Sequence, residues 1–213
     1  MINTSTEYKK QVLKDGNQWK VLSEVTYSDG TNATLTNADL MENGLSFTDA
    51  TSQKNKFCVG SFVSKMITLK VCNFENKFNP EKFESAKIHL QLELFLDDTQ
   101  SWETLDFGTF YVDKHPCSGG IITLTAYNNA VKFEKKYDST LTYPATLAEI
   151  LQDACTNCGV PLYSTTFPNS DYVVTARPSD DATTYADIVS YVAQLSACFA
   201  KCNNLGQLVL DWY

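Results

Sequence analysis

Two alternating runs separated by a glycine pair constrain this chain more than any other feature. In FGTFYV, Phe107, Thr109 and Tyr111 fall on one side and Gly108, Phe110 and Val112 on the other. After Ser118-Gly119-Gly120, IITLTAY (121–127) alternates again and is rich in β-branched and aromatic residues. A period of two with these residue types belongs to half-buried strands, and the glycines to the turn between them. Upstream, Ile88, Leu90, Leu92, Leu94 and Leu96 form the cleanest alternation in the chain, with His89, Gln91 and Glu93 pointing outward and Asp97-Asp98-Thr99 as the next turn.

The neighbouring segments follow the same rule. Ser5 is placed to cap a short helix across Thr6–Lys14, stopped by Asp15-Gly16-Asn17. Strands are expected at Trp19–Tyr27, Thr34–Thr36, Leu45–Thr48, Phe57–Val63 and Met66–Asn73, with an Asp29-Gly30 turn and a corner at Ala38–Met41. Regular strands with little helix between them predict an antiparallel, tube-like β-barrel or sandwich over residues 1–137. The pattern then changes. Thr146 and Glu149 have the spacing of a capping box, and Leu147, Ile150, Leu151, Ala154 and Cys158 form one helical stripe ending at Gly159. A second helix starts at Thr184, with Tyr185, Ile188, Val192 and Leu195 as its apolar face. A hairpin follows: CFAKC, a turn at Asn203–Gly206, then QLVLDWY. The expected class is therefore α+β, mainly β, with a smaller two-helix α+β domain over 138–213.

Charge and composition narrow the function. At 213 residues with 43% hydrophobic residues the chain can bury a real core, and no apolar run reaches the length of a membrane-spanning helix. Net charge is −8, and Arg177 is the single arginine. Phosphate clamps and base-reading forks depend largely on arginine, so sequence-specific nucleic-acid binding and a polybasic membrane anchor are both disfavoured. The N-terminus has no apolar export core, which points to folding in a cytoplasm. There the seven cysteines read as reduced small hydrophobes.

The ordered set GTFYVDK, ITLTAYN and KFEKKY resembles the hub module of phage and prophage tail proteins, also called the tail-associated-lysin N-terminal module. DLMENGLSF (39–47), KFCVGSFVSKMITLKVCNF (56–74), FNPEKFESAKIHLQL (78–92), TLAEILQDACTNCGV and TTYADIVSYVAQLSACFAKCNNLGQLVLDWY extend the resemblance over most of the chain. Where members carry an acidic or polar residue after the ITLTAY strand, this chain has Asn128-Asn129. The resemblance implies a structural component of a virion tail, assembled in the host bacterial cytoplasm. It would cap the tail tube and join it to the distal tip or a lysin. Implied partners are the tail tube protein, distal tail and other tail-tip proteins, with self-association to a trimer in the full-length protein and DNA passing only through the lumen. It also implies an incomplete second domain, since one barrel and part of an α+β domain fit an N-terminal fragment or shortened gene product.

Cys155 and Cys158 form a CxxC that Cys198 and Cys202 would have to complete as zinc ligands, and zinc needs all four sulfurs about 2.3 Å from one point. If 198–202 is a strand, its two end sulfurs lie about 13 Å apart. The CxxC also closes a helix, where the dipole opposes thiolate formation. His89 and His115 lack triad partners, and Asp97-Asp98 and Asp180-Asp181 belong to a turn and a helix approach. No enzyme activity, cofactor or catalytic residue is expected. The alternatives are a carbohydrate-binding β-module, which the aromatic content would suit, and a zinc-stabilised binding domain.

Overall fold

The computed structural model describes residues 4–50, 58–178 and 182–212. A first helix, α1 (Thr6–Gln11), is capped by the Ser5 hydroxyl, which accepts from the Tyr8 N–H. Eight strands then build one sheet: β1 (Trp19–Thr26), β2 (Asn32–Thr36), β3 (Leu40–Thr48), β4 (Met66–Cys72), β5 (Lys87–Leu96), β6 (Ser101–Lys114), β7 (Cys117–Ser118) and β8 (Ile121–Tyr127). The order is β2-β1-β5-β6-β8-β4-β3, with β7 on β8. Along β5 and β6 the expected faces hold: Ile88, Leu90, Leu94 and Leu96 are buried, as are Gly108, Phe110 and Val112.

This sheet is strongly curled. Its terminal strands β2 and β3 are joined by only the single turn Asn37–Asp39, so the two ends of the hydrogen-bonded path must face one another. Phe47 of β3 and Phe107 of β6 lie 5.0 Å apart at their ring centroids, although three strand spacings, about 14 Å, separate those strands along the sheet. A bulge helps the bend. Leu90 pairs with Gly108 but Gln91 pairs with Asp106, leaving Phe107 as the extra residue. Gly108 takes φ +87° there, and its N–H donates to the Asp106 carboxylate at 2.7 Å. The enclosed core is one cluster that includes Val25, Leu35, Ile67, Leu69, Phe83 and Phe110.

The remaining elements are β9 (Ala145–Thr146), α2 (Leu147–Cys158), β10 (Val173–Val174), α3 (Tyr185–Leu195), β11 (Phe199–Cys202) and β12 (Leu208–Asp211). Thr146–Glu149 and Thr184–Asp187 both form reciprocal capping boxes, and Gly159 ends α2 at φ +62°. The five stripe residues of α2 are all buried. β11 and β12 pair as the closing hairpin.

Two sequence expectations need correction. Phe57 lies outside the described residues, but Cys58–Val63 is not a strand. It turns at Gly60, φ +82°, and meets β11 in an isolated parallel bridge, Phe62 to Ala200. Leu195 is 47% exposed and does not belong to the apolar face of α3. The core on that helix consists of Tyr185, Ile188, Val189, Val192 and Ala193, and the last turn runs past it.

By contact density the chain forms two compact units, Met1–Phe47 with Met66–Ala126, and Thr48–Lys65 with Tyr127–Tyr213. The segment after β3 thus joins the second unit, as does the chain from Tyr127 onward, whereas the sequence pattern changes near Lys136–Ser139.

Candidate functional site

In the first unit the curled sheet leaves a groove of about 600 Å³ where its two ends approach. β2 pairs with β1 only from Leu22 to Thr26, so Trp19–Val21 overhang it. Asn37 covers that free edge: its amide oxygen accepts from the Val21 N–H, and its NH₂ donates to the Trp19 carbonyl. The walls are Trp19, Val21, Leu40, Met41, Leu45 and Leu92, and Glu42 stands among them as the charged residue. Tyr8 of α1 packs edge-on against Trp19 at 6.3 Å. A space of this size, apolar with a few polar groups, suits an apolar side chain or small ligand.

The second unit is organised around Asn128, 4% exposed. Its side-chain oxygen accepts from the backbone N–H of Ala130 and of Lys65, and its NH₂ donates to the Cys202 carbonyl, each at 3.3 Å. Three distant stretches of sequence therefore meet on one amide. The Lys65 ammonium, in turn, pairs with Asp49 at 3.1 Å and with Asn204 at 3.0 Å. Asn129 donates to the Gly206 carbonyl at 2.6 Å. The position singled out after ITLTAY is thus a structural junction, a role that no local pattern in the sequence carries.

The four zinc candidates occupy buried positions. Cys155, Cys158 and Cys202 belong to the core cluster of the second unit. Cys198, just before β11, is also buried, and its thiol donates to the Ser196 carbonyl at 3.3 Å. Burial pushes Cys155 and Cys202 up to about 12 and Cys158 up to about 11. For Cys155 the neighbouring thiols add to the effect, whereas for Cys202 Lys132 and Lys65 oppose it. Burial in the core thus favours the neutral form of these thiols. Among the described residues no set of three or more His, Cys, Asp or Glu side chains is arranged to hold a metal ion. Cys58 and Cys117 are the exposed thiols.

His89 sits between the Thr109 hydroxyl (3.3 Å) and the Asp106 carboxylate (3.3 Å) on the outer face of β5 and β6. His115 stands apart in the loop before β7. Asp97 and Asp98 meet Lys14 at the surface, each at 3.4 Å, and the Gln11 amide holds the Asp97 carboxyl below its ordinary value. Asp180 and Asp181 lie outside the described residues. The aromatic platform needed for a sugar is poorly served by Trp102: the Lys20 ammonium covers its ring at 3.6 Å, and Phe95 packs beside it at 5.2 Å.

No protein-family model matches the sequence, and no curated protein matches it. Solved structures do. The 43 kDa tail protein of prophage MuSo2 from Shewanella oneidensis superposes with a TM-score of 0.56 at 12% identity, covering 90% of this chain and 53% of that one. The tail protein from Neisseria meningitidis MC58 gives a TM-score of 0.55 at 8% identity, covering 89% and 50%. This chain therefore spans about half the length of those proteins. At such identities the likeness is one of fold. The curled sheet followed by the two-helix α+β unit is a fold shared with these two tail proteins.

Proposed function

We propose that this chain is a structural component of a phage or prophage tail, and within it the hub module that closes the tail tube and connects it to the distal tip or a lysin. The observation that carries the reading is that two tail proteins follow the fold over about nine-tenths of this chain, through both compact units. The sequence words pointing to the hub lie in the same order along it. The first compact unit then serves as the tube-like barrel domain and the second as the α+β hub domain. The partners are the tail tube protein and distal tail or other tail-tip proteins, with a trimer as the assembled form. The virion tail is the site of action, reached from the host cytoplasm during assembly. No catalytic step is assigned to the chain, since the two solved structures that share its fold are tail proteins. An acidic protein with one arginine also suits a lumen that passes DNA without retaining it.

The test is location together with loss of function. Antibody-gold labelling of particles from the encoding strain should mark the tail tip, and deletion of the gene should leave particles without a completed tip. Absence from purified particles overturns the tail assignment. Label distributed along the shaft overturns the hub assignment alone.

A further inference from the structure

Leu13, just past α1, is 85% exposed and its neighbour Val12 41%, an apolar knob with nothing of its own chain over it. Lys9 and Lys10 stand beside it, exposed and without ion-pair partners among the described residues. Lys14, Lys65, Lys77, Lys82 and Lys201, by contrast, pair with aspartates. The groove at the sheet seam has the opposite character: apolar walls around Trp19, Leu40 and Leu92, and an exposed Glu42 without an ion-pair partner among the described residues. We propose that this groove receives the Val12-Leu13 knob of a second copy of the chain, with Lys9 and Lys10 of that copy facing Glu42.

Two physical arguments favour a copy of the same chain over another occupant. The knob and the groove are complementary in both polarity and charge, and opposite charges at a contact rim set register and partner choice. They are also different patches of one surface, so each copy in a pair keeps one knob and one groove free. Such a head-to-tail contact propagates until a ring closes. A single helix end in a groove buries less than the roughly 1,200–2,000 Å² of a stable interface, so the association is weak in dilute solution. The contact itself does not depend on the tail assignment; closure at three copies does.

Sedimentation equilibrium of the full chain, from micromolar to millimolar concentration, tests this. Leu13→Glu should weaken association at least about tenfold, and a side chain so exposed can change without disturbing the monomer, which circular dichroism checks. Glu42→Lys should also weaken it, and combining Glu42→Lys with Lys9→Glu and Lys10→Glu should restore it. A chain that stays monomeric throughout, or associates equally well with Leu13→Glu, overturns the contact. Association lost on Leu13→Glu but closing at a number other than three supports the contact and counts against the trimer of the tail reading.

Discussion

At Asp39 a buried carboxylate is kept charged by its neighbours. Burial pushes its pKa up, but the Lys77 ammonium and the N–H and hydroxyl of Thr36, both at 3.0 Å, outweigh that and hold it below the ordinary 3.8. A carboxyl whose pKa is depressed by folding contributes stability above the unfolded-state pKa and loses it as pH falls through the folded value. Urea titrations of the wild type should therefore show a stability loss below about pH 4. Asp39→Asn should cost about 1–3 kcal/mol at pH 7 and show a shallower loss in acid. An equal acid slope in both proteins would sink this account. Lys77 approaches from 38 residues away, so no local spacing shows it. Asn128 teaches the same point, since its partners Lys65 and Cys202 lie 63 and 74 residues off.

At the scale of elements, the two main helices were legible because their start signals are local. The capping residues of α2 and α3 lie three positions apart, and the reciprocal bonds form as the spacing predicts: Thr146 N–H to Glu149 at 2.8 Å, Thr184 N–H to Asp187 at 2.8 Å. Thr146→Ala and Thr184→Ala should each lower stability by about 1 kcal/mol, and Thr→Ser substitutions should lower it less. Equal losses for Ala and Ser would show that the threonine methyl, not the hydroxyl, matters. Strands β5, β6 and β8 were legible for a related reason, because a period of two over seven or more residues is hard to imitate. Cys58–Val63 misled because a short apolar run carries no such periodicity. Its conformation is set by contacts with α3 and β11.

The second unit draws its segment Thr48–Lys65 from between β3 and β4 of the first. Its docking depends on a bare backbone at Gly60, where a Cβ would lie 2.0 Å from Gln194 Cγ and 2.8 Å from the Gln194 nitrogen. The Gly60 N–H donates to the Cys198 carbonyl at 2.9 Å, and Phe62 meets Phe133 edge-on at 5.4 Å. Gly60→Ala adds an unfavourable positive φ to a backbone clash, a loss of about 2–4 kcal/mol. Hydrogen exchange should place the damage in α3 and β11 and leave β5 and β6 protected. Unchanged exchange in α3, or loss centred on β5 and β6, would contradict the assignment of this segment to the second unit.

Taken by itself, the sequence determined the elements whose signals are short-range: the alternating strands, the capped helices, the closing hairpin and the mainly β class. It also determined the acidic, arginine-poor surface. Tertiary structure decided what depends on residues far apart in the chain. The sheet curls until β2 and β3 face each other across a three-residue turn, and the same closure creates the groove at Trp19 and Glu42. The segment after β3 joins another unit, and the four candidate cysteines are all buried. Periodicity and capping are properties of neighbouring residues, whereas closure, burial and the pKa of a buried group are set by whatever the fold brings alongside.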